Sequence, residues 1–150
     1  MAKILDGKKL AEGILRKIKI DVERRHLKSK LVVIQVGDNP VSKIFIWQKE
    51  KICRRIKIAF SLFKFSAEIP KEKFEEEIKK IIRQEKNAGI IIQLPLPKHL
   101  DRQEIFDLIP SEKDLDCLNL KNFGKIPPTA EAIVFLFKKP PCGGFKFLRV

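Results

Sequence analysis

Ser42, Phe45, Lys49 and Cys53 recur at three- and four-residue intervals in the stretch VSKIFIWQKEKICRR. On an α-helix that spacing stacks them in one row. A lysine on such a partly apolar face, one turn behind a phenylalanine, has its charged form disfavoured by desolvation. An amine of that kind can exchange protons near neutral pH, as general acid–base chemistry requires. The competing reading is an amphipathic lysine whose head reaches past the apolar face into water.

The flanking sequence supplies the elements that must hold this row. Asp6 reads as the N-cap of a helix from about Gly7 to Leu27, with Leu10, Ile14, Ile18 and Val22 on one stripe. LVVIQVG (31–37) is a short, apolar, β-branched run that predicts a buried strand, closed by the turn GDNP. Pro40 suits the first turn of the next helix, which carries the lysine row to about Lys57. IAFSLFKFS (58–66) predicts a second strand, and residues 71–87 an amphipathic helix with Phe74, Ile78, Ile81 and Ile82 inward. GIIIQ (89–93) predicts a third strand, stopped by LPLP; DRQEIFDLIP (101–110) a short helix; TAEAIVFLF (129–137) a last one. Strands alternating with helices predict βαβ crossovers and a three-layer α/β domain with a mostly parallel sheet. A site in such a sheet forms beyond the carboxyl ends of the strands, where the GDNP turn, Gln93 and the loop after it converge.

Composition narrows the classes. The chain has 150 residues, 44% of them hydrophobic, enough for one compact domain with a real core. It has no apolar run long enough to cross a bilayer and no apolar signal segment in MAKILDGKKL, so a cytoplasmic protein with no membrane partner is expected. Cys53, Cys117 and Cys142 are odd in number and irregularly spaced. That argues against a disulfide framework and against a metal site. His26 and His99 read as surface residues. The net charge of +13 favours anionic partners. The cations nevertheless alternate with glutamate, as in IPKEKFEEEIKKIIRQEK, and no recognised binding signature accompanies them, which points away from nucleic acid.

Four segments in order, ILDGKKLA, VGDNPVSKIFIWQKEKIC, GIIIQLPLPKHL and SEKDLDCLNLKNFGKI, resemble the catalytic domain of the bifunctional methylenetetrahydrofolate dehydrogenase/methenyltetrahydrofolate cyclohydrolase family. That family's pattern runs VGxNPAS-x-x-Y-V-x-x-K-x-K-A-C, then G-I-L-V-Q-L-P-L-P, then K-D-V-D-G. The resemblance implies one-carbon folate metabolism: interconversion of 5,10-methylene-, 5,10-methenyl- and 10-formyltetrahydrofolate. It implies that Lys49 and Gln93 are catalytic, the neutral amide holding the amine without stabilising its charge as a carboxylate would. Ser42, Phe45, Ile92, Leu94, Pro95 and Asp116 are implied as substrate contacts, with the Asp116 carboxylate accepting from a pterin edge. Asp114 is the neighbouring alternative. A folate substrate, a homodimer, and NADP or NAD on a second, Rossmann-type domain follow from the same resemblance.

The resemblance covers only the first of these two domains, and a chain without the second is expected. Residues 1–137 fit the catalytic domain; residues 138–150, KPPCGGFKFLRV with the lysine before it, fit neither a linker nor a GxGxxG loop. A truncated or frame-shifted reading is expected, with no cofactor bound and no dehydrogenase activity in the chain alone. Three substitutions also depart from the pattern. Phe45 stands for tyrosine, and Lys57 and Cys117 stand for glycines, which adds strain wherever φ must be positive. The alternatives carried forward are a catalytically impaired folate-binding remnant and a basic nucleic-acid binder.

Overall fold

The structure, a computed structural model, describes residues 6–121 and 125–138. The rest of the expected tail, 139–150, lies outside them. Helix α1 (Gly7–Arg24) starts where the Asp6 side chain accepts from Lys9 N at 2.9 Å. Strand β1 (Lys30–Val36), helix α2 (Pro40–Arg55), strand β2 (Ala59–Phe65), helix α3 (Lys71–Gln84) and strand β3 (Ala88–Ile92) follow. A single turn, α4 (Gln103–Phe106), and α5 (Pro128–Lys138) complete the order.

The three strands form a sheet in the order β2-β1-β3, wholly parallel, with Lys30 opposite both Ala59 and Ala88. Successive side chains on a strand point to opposite faces, and the two faces are covered by different helices. Val32, Ile34, Ile90 and Ile92 pack with Phe74, Ile78 and Ile81 of α3. Val33 and Ile91 pack with Ile46 of α2 on the other face. The expected three layers are therefore present. The chain leaves β1 over one face and enters β3 from the other, so the β1/β3 boundary is the place where connections part and a cleft opens.

Helix ends differ from the expected ones by two or three residues, for a definite reason. α1 stops at Arg24 and not near Leu27: Leu27 N donates to Val22 O at 3.1 Å, with His26 at φ 50°. α2 stops at Arg55 and not at Lys57: Ile58 N donates to Cys53 O at 2.9 Å, with Lys57 at φ 60°. Both are Schellman closures, in which the residue just past the helix turns left-handed, a position glycine usually fills. Here His26 and Lys57 fill it. α3 ends at Gln84, three residues before the expected 87, and Lys113 Nζ donates to the Glu85 and Lys86 carbonyls at 2.7 and 2.6 Å. The expected helix 101–110 shrinks to α4, although Leu100, Ile105 and Ile109 are all buried.

Candidate active site

The helix that carries Lys49 is aligned by its own first turn. The Asn39 side chain accepts from Val41 N at 2.9 Å and Ser42 N at 3.1 Å, and Pro40 occupies the position where a missing N–H costs nothing. Ser42 is then directed inward, 3% exposed, and its hydroxyl donates to Leu94 O at 3.1 Å. Gln93 follows β3 directly, its backbone N–H donating to Ile34 O of β1 at 2.8 Å. Its side-chain Nε2 donates to the same Leu94 carbonyl at 2.9 Å, and its Oε1 accepts from Lys49 Nζ at 2.9 Å. One carbonyl oxygen thus takes two donors, and a continuous run of hydrogen bonds joins Ser42, Leu94, Gln93 and the Lys49 amine. Both ends of the Gln93 amide are engaged, which fixes its orientation. The Leu94–Pro95 peptide is cis.

Asp116 reaches this cluster through a single β-bridge. Ile90 pairs in parallel with Asp114, with Ile90 N donating to Lys113 O at 2.7 Å and Leu115 N to Ile90 O at 3.3 Å. Gly89 permits the approach, because a Cβ there would collide with the Leu115 side chain. Asp114 is buried and its carboxylate accepts from Asn119 N at 2.9 Å and Asp116 N at 3.2 Å. Asn119 in turn donates to Ile109 O at 2.8 Å. Asp114 therefore organises the loop, and Asp116 is the half-buried carboxyl presented to the cluster. Burial raises its pKa above the ordinary aspartate value; the Lys49 charge opposes that shift and the Asp114 charge adds to it.

Of the residues expected here, Lys49, Gln93, Leu94 and Asp116 come together. Pro95 is exposed on the same loop, and Phe45, 50% exposed one turn before Lys49, leaves its ring open to a planar ligand. Ser42 and Ile92 lie deeper. The Ser42 hydroxyl donates to Leu94 O, and Ile92 is 3% exposed and packs in the α3-side core. Both help set the position of the loop. The capping role of Asn39, the loop-organising role of Asp114, and Asn119 were not expected in the site's construction. Their visible signal is Asx spacing, a side-chain acceptor two or more residues ahead of the N–H it serves. Cys117, beside Asp116, adopts φ 57°, so both non-glycine replacements fall where φ is positive. Cys53, buried one turn past Lys49, has its thiol pKa raised by burial, with the Glu50 charge adding to it, and is held as an unreactive core residue.

Residues 5–116 match the family described as tetrahydrofolate dehydrogenase/cyclohydrolase, catalytic domain. The chain is 37% identical over 123 residues to the bifunctional protein FolD of Hydrogenobaculum sp., covering 82% of this chain and 44% of that protein. The 5,10-methylenetetrahydrofolate dehydrogenase of the silkworm, Bombyx mori, matches with a TM-score of 0.86 at 29% identity, over 92% of this chain and 52% of that one. The Trypanosoma brucei methylenetetrahydrofolate dehydrogenase-cyclohydrolase, complexed with NADP cofactor and inhibitor, matches with a TM-score of 0.81 at 28% identity, over 91% and 51%. The chain spans about half the length of the relatives it matches.

Proposed function

The chain belongs to the tetrahydrofolate dehydrogenase/cyclohydrolase family, and from that premise we propose that Lys49, Gln93 and Asp116 form a folate site that hydrolyses 5,10-methenyltetrahydrofolate to the 10-formyl compound. The single observation that carries the reading is the 2.9 Å bond from the Lys49 amine to Gln93 Oε1, beside a half-buried aspartate. With one N–H held by the amide, the Lys49 nitrogen is aimed at bound substrate, and it accepts a proton in its deprotonated form. Water adds to the cationic methenyl carbon and its proton passes to that amine. The C–N bond then breaks, Lys49 returns the proton to the departing nitrogen, and the hydroxyl proton leaves to solvent as the formyl C=O forms. Asp116 accepts from the pyrimidinone N–H edge, and the Phe45 ring stacks on the pterin. Phe45 has no hydroxyl to help hold the amine, and one such bond is typically worth about 0.5–1.5 kcal/mol, so the reaction is slower than with tyrosine but not lost.

The dehydrogenase step uses NADP or NAD, which supplies a hydride acceptor when bound. The described residues do not fit a dinucleotide: the turn after β1 holds one glycine, Gly37, followed by the Asp38 carboxylate where a pyrophosphate would need N–H donors. The chain alone is proposed to lack that activity. Residues 1–137 are proposed as one catalytic domain, acting as a homodimer in the cytoplasm. No helix among the described residues is long and apolar enough to cross a membrane.

The test follows loss of the methenyl chromophore for wild type and Lys49→Ala. A wild-type rate above the uncatalysed one that falls to background in the variant supports the reading. Equal rates remove Lys49 from the mechanism. Tight folate binding with no turnover in either protein makes the chain a binding remnant.

A further inference from the structure

Cations that look dispersed along the chain gather at one end of the sheet. All three strands begin there, at Lys30, Ala59 and Ala88, and α1, α2 and α3 end there. An open cleft between the three connections is lined by Lys28, Lys30, Lys57 and Lys86, with Ser29 and Asn87 among them. Its one lining carboxylate, Glu85, is bonded to Lys30 Nζ at 2.7 Å, and Lys57 pairs with Glu23 at 2.7 Å. Lys28 and Lys86 make no ion pair among the described residues.

Helix dipoles explain part of this. The carbonyl end of a helix favours cations in its last turn, and Arg24, Arg54, Arg55 and Arg83 occupy last turns. The effect fades beyond that turn, and the carbonyls past α3 are already taken by Lys113. Lys28 and Lys86 sit on loops past the helices, so neither a dipole nor a carboxylate accounts for them. A concave cationic surface flanked by neutral donors is what a phosphate backbone recognises. A lipid surface would want an apolar wedge on the same face, and of the residues lining the cleft only Leu27 and Ala59 are apolar.

We propose that this amino-terminal edge of the sheet binds the phosphodiester backbone of a nucleic acid, without reading its sequence, at the end of the sheet opposite the folate site. The proposal does not depend on the folate reading. Fluorescence anisotropy of labelled single-stranded RNA, single-stranded DNA and duplex DNA of 20 nucleotides, titrated with the full chain from 50 to 200 mM salt, tests it. Binding is expected to weaken linearly on a log–log plot. Lys28→Glu with Lys86→Glu is expected to flatten the slope by about two for the duplex, since each lost phosphate contact contributes about 0.9. Both residues are exposed and outside any ion pair, so the variant keeps its fold, and circular dichroism checks it. Lys64→Glu with Lys98→Glu, at the other edge, is expected to leave the slope unchanged. Three results overturn the proposal: no binding at 50 mM salt, the same slope for Lys28→Glu/Lys86→Glu as for wild type, or capture by phosphatidylserine vesicles without oligonucleotide binding. Which of the three oligonucleotides binds tightest names the natural class.

Discussion

The two edges of this sheet are built from the same three strands, yet they handle charge in opposite ways. At the carboxyl edge one amine, Lys49, is fixed by a neutral amide, and Asp116, which feels its charge, is half-buried. At the amino edge Lys28 and Lys86 line an open cleft outside any described ion pair. The parallel βαβ arrangement itself favours this split. It points helix N-termini, with their partial positive charge, at the carboxyl edge and helix C-termini at the amino edge. Anionic ligands are thereby welcomed where the strands end, and surplus cations are tolerated where they begin. An amine used for chemistry at the carboxyl edge must be positioned, and the Ser42–Leu94–Gln93 run of hydrogen bonds does that.

The sharpest way to break the comparison is to remove one lysine from each edge. Lys49→Met is expected to lower methenyl hydrolysis by roughly 10²–10⁴-fold, the usual worth of a positioned acid–base group, while Lys28→Met leaves it unchanged. Comparable losses from both would show that charge in general, and not a held amine, matters. Asp116→Asn is expected to weaken folate binding by about 10–100-fold, from loss of a charged hydrogen bond worth about 1.5–3 kcal/mol. The sign of its pH effect follows from the raised pKa. Folate affinity is full above that raised value and fades as pH falls through it, starting at higher pH than for an ordinary aspartate; the acid limb should vanish in Asp116→Asn. For folding, the direction reverses. The native carboxyl holds its proton more tightly than the unfolded one, so this group's contribution to stability declines as pH rises from the ordinary aspartate value through the raised one.

Ser42→Ala tests the loop clamp and should cost about 0.5–1.5 kcal/mol in urea unfolding, with kcat falling more than KM changes. A loss confined to KM would instead return the hydroxyl to the substrate. The smallest effects come from two of the left-handed positions. Lys57→Gly at the amino edge and Cys117→Gly at the carboxyl edge should each stabilise by about 0.5–1 kcal/mol, since a left-handed L-residue costs about 1–2 kcal/mol and glycine returns part of that as entropy. Destabilisation in either would mean that the side chain's contacts outweigh the strain.

Periodicity made the core legible. Phe74, Ile78 and Ile81 repeat at helical intervals and are all buried, and the β-branched runs became β1 and β3. Helix ends were less visible, because His26 and Lys57 occupy closures that glycine ordinarily marks. Ile105 and Ile109, four residues apart, mimic helical spacing, yet tight turns bury them just as well, so the longer helix was illusory. In the site, the Lys49 row could be read from spacing and Gln93 from the end of its strand. The Leu94 carbonyl could not, since a backbone acceptor leaves no mark in residue identity. The depth of Ser42 and Ile92 was hidden for a related reason: nearness to a site in sequence does not say which face a side chain takes. That Asp114 organises the loop was not legible, since it takes the bridge to Ile90 and the Asn119 contact to show it.

The central claim, that Gln93 and Lys49 act as one unit, is tested most directly by a double-substitution cycle on methenyl hydrolysis with Lys49→Met, Gln93→Leu and their combination. If the amide serves the reaction by holding the amine, the combined protein is no slower than Lys49→Met alone. Losses that multiply, with the combined protein slower by the product of the two single effects, would contradict it.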